Sequence, residues 1–363
     1  MTSANAIWDG AFASSLTGFQ AAIETSCLGF IESQADLLED LGEDGAALVA
    51  AARRSLTGGK RLRAAFCWWG YRAIRPVEDE HALLHACASL EFLHASALVH
   101  DDYMDSSATR RGFPATHRAF AEVHRERGWA GDAEMYGASA AILLGDLLLS
   151  WADEVLRTCG LDAEAVLAGL RFFDITRTEV VAGQFLDVSA QARATRDIEL
   201  AMTVLRYKSA KYSIERPLHI GAALAGASRE QLDALSAFGI PLGEAFQLRD
   251  DLLGIFGDPT VTGKPAGDDL REGKRTVLTA IALQALSPAD ARRLDQALGT
   301  GLSADDIQEL CGLIEASGAR SGVEQLISGL TSQSLDALQQ APIEGGAREM
   351  LRELARAATQ RSV

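Results

Sequence analysis

The segment HALLHACASLEFLHASALVHDDYM, His81–Met104, decides the fold class of this 363-residue chain. It contains neither Pro nor Gly, and its apolar residues recur at spacings of three and four, the period of a buried helix face. Comparable helical runs follow at Tyr136–Cys159, Ala163–Asp187, Ile198–Ala225 and Arg229–Phe256. No segment alternates apolar with polar residues as a half-buried strand does. The sequence therefore predicts an all-α protein.

Glycine and proline residues separate these runs and predict where the helices end. The breaks include Gly58-Gly59, Arg75-Pro76, Gly112-Phe113-Pro114 and Gly257-Asp258-Pro259. Ser303-Ala304-Asp305-Asp306 has the pattern of a helix start. The length alone suggests about two domains, on a prior of roughly 150 residues each. Because no low-complexity linker divides the chain, we expect one large domain over residues 1–363.

Composition excludes several classes of protein. The formal net charge of −16 argues against a nucleic-acid partner, because phosphate backbones are held by clustered cations. A hydrophobic content of 48% excludes intrinsic disorder. No apolar run reaches the roughly 20 residues of a membrane span, and the first residues do not resemble a signal peptide, so no integral membrane segment is expected. The five widely spaced cysteines form no CxxC pair and predict buried thiols in the reducing cytoplasm.

Two aspartate clusters end two of the predicted helices, Asp101-Asp102-Tyr103-Met104-Asp105 and Asp250-Asp251. Asp101 and Asp105 share a helix face, where like charges repel, so a compensating partner is expected. Carboxylates without thiol or imidazole neighbours suit magnesium. A solvated acidic surface is the alternative for either cluster alone. Together, the clusters predict two acidic walls that face each other across a cavity.

Cations gather beside these aspartates in spite of the negative net charge. Arg110 and Arg111 follow the first cluster, and Gly58-Gly59-Lys60-Arg61-Leu62-Arg63 places three cations beside two glycines. Further lysines are Lys208, Lys211, Lys264 and Lys274. Taken singly, Lys211 and Lys274 are best interpreted as ordinary surface lysines. Because Arg makes bidentate contacts with phosphate oxygens, the arrangement predicts sites for phosphorylated anions.

His94 lies seven residues before Asp101, on nearly the same helix face two turns away. A lone histidine in a helix is usually a packed, hydrogen-bonded residue. Its alignment with Asp101 and Asp105 favours a substrate contact instead.

Five ordered blocks make the chain resemble the trans-isoprenyl diphosphate synthases of the polyprenyl synthetase type. The blocks are Gly59–Arg63, His94 through Asp101–Gly112, Tyr207-Lys208-Ser209, Phe246–Asp251, and Gly257-Asp258 with Gly263-Lys264. The resemblance implies an isoprenoid-synthase-type helical bundle around a deep central cavity, usually as a homodimer. It also implies the joining of isopentenyl diphosphate to an allylic diphosphate (dimethylallyl, geranyl or farnesyl), with release of diphosphate.

The resemblance also implies a role for each matching residue. Magnesium ligands would be Asp101, Asp105 and Asp250, with Asp102 and Asp251 as further candidates. The allylic diphosphate would be held by Arg110, Lys208 and Lys264. Isopentenyl diphosphate would be held by Lys60, Arg63, His94 and Arg111. The catalytic residues near the developing carbocation would be Lys208, Ser209 and Gln247.

One departure concerns the second acidic cluster. Gly254 stands where the family usually has a third aspartate, and Asp258 lies four residues further on, beyond the expected reach. This loss bears on the geometry of one magnesium ion and not on the reaction.

Small residues below Asp101 predict a long product. Family members that stop at fifteen carbons commonly carry aromatic residues four and five positions before the first aspartate, where this chain has Ala97 and Ser96. Each helical turn of ~5.4 Å is close to one isoprene unit in length. The cavity floor is then expected at Leu93 or Phe92, or within 136–149. We expect mainly geranylgeranyl diphosphate, the twenty-carbon product, with a farnesyl or longer-chain polyprenyl diphosphate as the alternative.

Two rival functions remain open. A class I terpene cyclase also ionises allylic diphosphates, but its second metal motif needs an asparagine, and the only one in this chain is Asn5. A non-catalytic prenyltransferase subunit would be expected to lose part of an acidic cluster, as at Gly254. The chain retains the cationic residues that would bind the two substrates, and this favours an active enzyme.

Overall fold

The computed structural model describes residues 16–257 and 267–359, which are almost entirely helical. The helices are α1 Leu16–Ala35, α2 Gly42–Leu56, α3 Leu62–Arg72, α4 Glu80–Met104, α5 Thr116–Glu126, α6 Ala133–Arg157, α7 Ala163–Ala192, α8 Ile198–Val204, α9 Arg216–Leu224, α10 Arg229–Phe256, α11 Asp268–Glu272, α12 Val277–Ala285, α13 Pro288–Ala297, α14 Ala304–Ala316, α15 Ala319–Gln340 and α16 Gly345–Thr359. A 3₁₀ turn covers Asp36–Leu41, and a π-helix covers Leu205–Glu215. The predicted all-α class is confirmed.

Polar side chains cap several of the helix starts. The Asp79 carboxylate accepts a hydrogen bond from the backbone N–H of Ala82 and so begins α4 one residue before the predicted start. Asp132 caps α6 in the same way, which moves that start three residues ahead of the predicted Tyr136. Ser303 forms a capping box with Asp306, as the predicted start of α14 requires.

The sequence missed a short antiparallel ribbon after α4. Strands β1 (Thr109–Arg110) and β2 (Phe113–Pro114) pair Arg110 with Phe113. The two turn residues between them, Arg111 and Gly112, both have positive φ, 52° and 80°. That combination matches the twist of a two-residue hairpin. The predicted break at Gly112 is therefore a turn that fixes the directions of Arg110 and Arg111.

Two hydrophobic clusters form the core, and α10 belongs to both. Phe238 and Leu242 of α10 lie in the larger cluster, with α1, α3, α4, α6 and α9. Leu248 and Leu252 lie in the smaller one, with α12 to α15. The two clusters therefore meet along α10 between Leu242 and Leu248, just before Asp250 and Asp251.

Two helices pass a length and composition test for membrane spans, although the sequence analysis expected none. They are α4 and α6. Their mean hydropathy over 18 residues is high even though polar residues interrupt the apolar run, which is why a search for an unbroken apolar run does not find them. In α4, 78% of the apolar window is buried inside the protein. A helix that is apolar on all sides and enclosed by others is the ordinary core of a helical protein.

A π-helix interrupts the predicted run Ile198–Ala225. Two glycines allow its neighbours to pack closely on it: a methyl group on Gly183 of α7 would lie 2.4 Å from the backbone nitrogen of Lys208, and one on Gly243 of α10 would lie 2.5 Å from the Ala210 carbonyl oxygen. Segments of π-helix are rare and occur frequently at functional sites. This one carries Lys208 and Ser209.

Candidate active site

A cavity of about 780 Å³ lies among α4, α7, α10, the π-helix and the loop before α3. Most of the predicted site residues line it: Lys60, Arg63, His94, Ala97, Asp101, Arg110, Arg111, Lys208, Ser209, Gln247, Asp250 and Asp251. Five others do not: Phe92, Leu93, Ser96, Asp102 and Asp105. Lys264 lies outside the described residues.

The first acidic wall is formed by the end of α4. Oδ1 of Asp101 accepts a hydrogen bond from Nε2 of Gln184 at 2.9 Å and lies 3.3 Å from Nζ of Lys208. Burial opposes ionisation of Asp101, yet Lys208 and Lys274 hold its pKa below the usual value. Burial and the charge of Asp101 raise the pKa of Asp105 to about 6. The paired carboxylates therefore require cations, as their spacing predicts.

Asp102 has a different environment from its two neighbours. It is 3% exposed, and its Oδ1 accepts hydrogen bonds from Nε of Arg110, at 2.8 Å, and from Nη2 of the same side chain. A successive residue on a helix is rotated by about 100°, which turns Asp102 away from the cavity. The geometry therefore makes Asp102 the residue that positions Arg110, in place of the metal contact expected for it.

The second acidic wall is formed by the end of α10. Asp250 and Asp251 both line the cavity, and Oδ1 of Asp251 accepts a hydrogen bond from Nε2 of Gln247 at 2.8 Å. Burial, followed by the charges of Asp269 and Asp250, raises the pKa of Asp251 to about 8. Asp269 of α11 was not anticipated from the sequence. Asp269 lies on a separate helix, so the helical period of α10 does not relate it to Asp250 and Asp251.

The raised pKa of Asp251 predicts a pH dependence of stability. The folded protein holds this proton more tightly than the unfolded chain, whose carboxyl has a pKa near 3.8. Folding stability contributed by this group therefore falls as the pH rises from about 4 to about 8. We expect the thermal midpoint of the metal-free Asp251→Asn variant to fall less between pH 6 and pH 8 than that of the wild type. An unchanged slope would contradict this assignment, and the exposed Asp233→Asn variant serves as the control.

Lys274 is the clearest error of the sequence analysis, which interpreted it as a surface residue. Its Nζ lies 2.5 Å from Oε2 of Glu272, 3.4 Å from Oδ2 of Asp105 and 3.6 Å from Oδ1 of Asp269. The ammonium of Lys274, which lines the cavity, thus contacts a carboxylate at the end of α4 and two carboxylates of α11. The three acids at positions 268, 269 and 272, just before Lys274, are the local signal that could have indicated an ion-pair network.

Lys208 is held between α4 and α7. Its Nζ lies 2.7 Å from Oδ2 of Asp187 and 3.3 Å from Asp101. Burial alone would lower the pKa of Lys208, but Asp101 and Asp187 raise it. Lys208 therefore stays charged beside the first acidic wall. Lys211, on the same π-helix, instead forms an ion pair with Glu179 at 2.6 Å and lies outside the cavity lining.

A basic region also lines the cavity. Nη2 of Arg63 donates to Oγ of Ser213 at 2.8 Å, and its guanidinium lies 4.3 Å from the centre of the Tyr212 ring. Nη1 of Arg111 donates to the carbonyl of Thr57 at 2.7 Å and so holds the loop that carries Lys60. Burial and the neighbouring charge of Arg61 lower the pKa of Arg111. An anion bound here would relieve that excess of positive charge.

Neutral polar groups complete the basic region. Nδ1 of His94 lies 3.2 Å from the Tyr212 hydroxyl. Burial, together with Arg63 and Arg111, holds the pKa of His94 well below its usual range, so the imidazole is uncharged at neutral pH. Burial also raises the pKa of Tyr212 to about 12, so this phenol keeps its proton. Tyr212 was missed by the sequence analysis, although it lies one turn beyond Lys208 on the chain.

The residues predicted to limit product length lie in two environments. Ala97 lines the cavity, whereas Ser96, Leu93 and Phe92 are buried in the core. The Phe92 ring packs edge-on against Phe30, with ring centres 5.3 Å apart. Trp151 of α6 packs against the same two rings at 6.0 and 6.4 Å. Phe30 was not predicted because α1 is far from α4 in sequence.

The donor set fits a hard divalent cation. Among residues 16–257 and 267–359, no group of three or more His, Cys, Asp or Glu is arranged to enclose a metal by itself. Magnesium is usually held by one or two carboxylates together with water and substrate phosphates. The carboxylates of Asp101 and Asp250 line one cavity with the cationic side chains of Arg110 and Lys208, so the residues present fit such an ion.

Comparisons with known proteins agree with this geometry. The family model for polyprenyl synthetase matches residues 46–314. A geranylfarnesyl diphosphate synthase from Aeropyrum pernix is 32% identical over 298 residues, 81% of this chain and 87% of that protein. A farnesyl diphosphate synthase from Mycobacterium tuberculosis is 34% identical over 267 residues, 72% of this chain and 68% of that protein.

A solved structure gives the same result at the level of the fold. The geranylgeranyl pyrophosphate synthase from Corynebacterium glutamicum, complexed with isoprenyl diphosphate and magnesium, superposes with a TM-score of 0.93. Its sequence is 44% identical, and the match covers 96% of this chain and all of that one. These likenesses cover both acidic walls and the basic region. The chain is therefore a prenyltransferase of the isoprenoid-synthase fold, and it belongs to the polyprenyl synthetase family.

Proposed function

We propose that this single-domain enzyme joins isopentenyl diphosphate head-to-tail to allylic diphosphates and yields mainly geranylgeranyl diphosphate. The observation that carries the proposal is one cavity with two differently built anion sites. One is lined by Asp101 and Asp250 together with Lys208 and Lys274, and the other by Lys60, Arg63 and Arg111. A terpene cyclase would leave the second of these sites without a ligand.

The acid-lined site suits the allylic diphosphate. Asp101, Asp105 and Asp250 would hold magnesium ions, with Asp251 beside them. A bound magnesium ion neutralises the charge that grows on the diphosphate as it leaves. Lys208 and Arg110 point charged groups at the same space, as does Lys274, and Lys264 is expected to add another. Because Lys208, Arg110 and Lys274 are already fixed by ion pairs, little reorganisation is needed when charge develops.

The basic site suits isopentenyl diphosphate, which must be bound without being ionised. Lys60, Arg63 and Arg111 provide the positive charge, and neutral His94 contributes a hydrogen bond. Glu91 also lines this side, but its Oε2 accepts from Nη1 of Arg61 at 2.9 Å. Its charge is therefore matched by a buried arginine and does not repel the diphosphate.

The reaction needs no side-chain base. The allylic carbon–oxygen bond breaks with its electron pair on the departing diphosphate, and the double bond of isopentenyl diphosphate forms the new carbon–carbon bond. The released diphosphate then accepts the proton that restores the double bond. Ser209 and Gln247 line the cavity where their oxygen dipoles can stabilise the transient positive charge. The apolar residues Val180 and Phe246 keep water from that charge.

We propose that Phe92, Phe30 and Trp151, here called the aromatic floor, limit the growing chain. Ala97 leaves space one turn below Asp101, and Phe92 of the aromatic floor lies about one and a half turns further down α4. The twenty-carbon assignment is supported by this depth and by the similarity to the Corynebacterium glutamicum enzyme. Relatives named for fifteen and twenty-five carbons make a direct measurement necessary.

The test is a product assay on the purified chain. Incubation with isopentenyl diphosphate, magnesium and each allylic primer should give mainly geranylgeranyl diphosphate by chromatography and mass spectrometry. A product of fifteen carbons only would contradict the depth argument. No turnover by the chain alone, restored by a partner protein, would favour the non-catalytic subunit.

We further propose a homodimer in the cytoplasm. Helices α6 and α7 expose large apolar side chains, among them Leu143 at 64%, Val181 at 62% and Phe185 at 72%. Phe185 follows Gln184, which contacts Asp101, so this face lies directly behind the active site. A second copy of the chain would cover it. All five cysteines are free, as expected in a reducing compartment.

The dimer proposal predicts a change of mass on a single substitution. Phe185→Glu places a charge in an apolar interface and is expected to give monomers in light scattering at micromolar concentration. Glu164→Lys, a charge change at the exposed start of α7, is the control and should remain dimeric. A dimeric Phe185→Glu protein would contradict the assignment of this face.

A further inference from the structure

The second acidic wall lacks a carboxylate on α10 itself. Asp250 and Gly254 are separated by one helical turn, so a side chain at position 254 would point into the cavity beside that of Asp250. Gly254 provides none, although its backbone lines the cavity. A side chain at position 254 would need space that another group occupies.

The carboxylate of Asp269 occupies that volume. A methyl group on Gly254 would lie 2.0 Å from Oδ2, 2.6 Å from Cγ and 3.1 Å from Oδ1 of Asp269. These separations are far below van der Waals contact, so only glycine leaves room for this carboxylate. Asp269 also lines the cavity, together with Asp250 and Asp251. The Asp269 carboxylate from α11 therefore occupies the space that a side chain at position 254 of α10 would need.

The backbone around Asp269 fixes this position. Gly267 and Gly273 flank α11 with φ values of 73° and 75°, which favour glycine. The N–H of Lys274 donates to the carbonyl of Asp269 at 3.0 Å, and Oδ1 of Asp269 lies 3.6 Å from Nζ of the same lysine. Lys274 thus contacts both the backbone and the side chain of Asp269.

A cation already lies between Asp269 and the first acidic wall. Nζ of Lys274 is 3.4 Å from Oδ2 of Asp105 and 3.6 Å from Asp269. One buried positive charge therefore contacts carboxylates that come from α4 and from α11. This independent observation shows that the space between the walls is built for positive charge.

We infer that Asp269 supplies, from α11, the third carboxylate of the second acidic wall and binds the metal ion there in place of the side chain absent at Gly254. The inference rests on the proposed magnesium-dependent function. It makes a glycine at position 254 a requirement of metal binding and not a loss of it.

The test measures metal binding directly. Free Mn²⁺ is counted by electron paramagnetic resonance during titration of the full-length protein in the presence of inorganic diphosphate. Asp269→Asn keeps the shape of the side chain and should weaken Mn²⁺ binding by about 10- to 100-fold, the range found when a supporting group of a metal site is lost. Gly254→Ala keeps every carboxylate, yet should weaken binding as well, because the new methyl displaces that of Asp269.

A double variant provides the decisive comparison. Gly254→Asp combined with Asp269→Ala returns a carboxylate to the wall from α10 and should recover most of the lost affinity. Asp233→Asn, which removes an exposed charge from α10, is the control and should bind as the wild type does. Circular dichroism and thermal melting establish that each variant is folded.

The outcomes separate this inference from the proposed function. A folded Asp269→Asn variant with wild-type Mn²⁺ affinity, or a double variant no better than Asp269→Asn, overturns the role of Asp269. Wild-type protein that binds Mn²⁺ with diphosphate, loses it in Asp269→Asn, and yet makes no prenyl product would overturn the proposed function while leaving the metal assignment intact.

Discussion

Asp101→Asn is expected to reduce kcat by about 10²- to 10³-fold, the loss typical of removing one preorganised electrostatic group. Asp101 connects the first acidic wall to two other elements. Its Oδ1 lies 3.3 Å from Nζ of Lys208 on the π-helix and accepts a hydrogen bond from Nε2 of Gln184 on α7 at 2.9 Å. An amide removes the charge that would hold a metal ion and that keeps Lys208 in place. Steady-state kinetics with varied magnesium and both substrates measure the effect.

The kinetic pattern distinguishes this role from a structural one. The KM for isopentenyl diphosphate should stay unchanged, because Lys60, Arg63 and Arg111 are the residues proposed to hold that substrate, whereas kcat falls and the magnesium requirement rises. Asp146→Asn is the matched control: Asp146 lies 3.5 Å from His100, the neighbour of Asp101, but outside the cavity lining. Wild-type kcat in Asp101→Asn would exclude the proposed metal site.

Ala97→Phe is expected to change the main product from twenty carbons to fifteen. Ala97 lines the cavity one turn below Asp101, and a phenyl ring there would fill about the depth of one isoprene unit. Product chromatography with geranyl and farnesyl primers measures the change. Ala97→Ser keeps the side chain small and should leave the product unchanged. An unaltered product from a folded Ala97→Phe enzyme would show that the chain grows in another direction.

The aromatic floor predicts the opposite change from Phe92→Leu. The smaller side chain loses its edge-on contacts with Phe30 and Trp151 and opens space within the aromatic floor, into which a longer chain would extend. Products of twenty-five carbons or more should then appear. A leucine leaves a smaller cavity than alanine would, which limits the loss of stability. Ser96→Phe is a poor test of the cavity, since Ser96 is 3% exposed and a larger side chain there overpacks the core.

The sequence predicted those site residues whose spacing within one helix fixes their direction. Asp101 and Asp105 are one turn apart, and His94 lies two turns before Asp101, so the helical period was sufficient to align them. The same period, applied to Asp102, would have predicted its turn away from the cavity. The resemblance to the family added Asp102 as a candidate metal ligand. In the structure Asp102 forms an ion pair with Arg110 and so positions that arginine.

Residues brought together across the chain could not be found in this way. Lys274 looks like a surface lysine until α11 places it between Asp105 and Asp269. Phe30 joins the aromatic floor only because α1 packs on α4 and α6. No local pattern encodes such contacts, since they depend on how separate helices cross.

By itself, the sequence determined the helical class, both acidic clusters and the cations beside them, because helical period, capping and charge spacing are local properties. Tertiary structure alone decided which carboxylates share one cavity. The glycine at position 254 shows the reason: read along the chain it is a missing ligand, whereas in the folded protein it is the gap that the Asp269 carboxylate fills. Because protein interiors are close-packed, the space beside a glycine is filled by a side chain from elsewhere, and here that side chain comes from another helix.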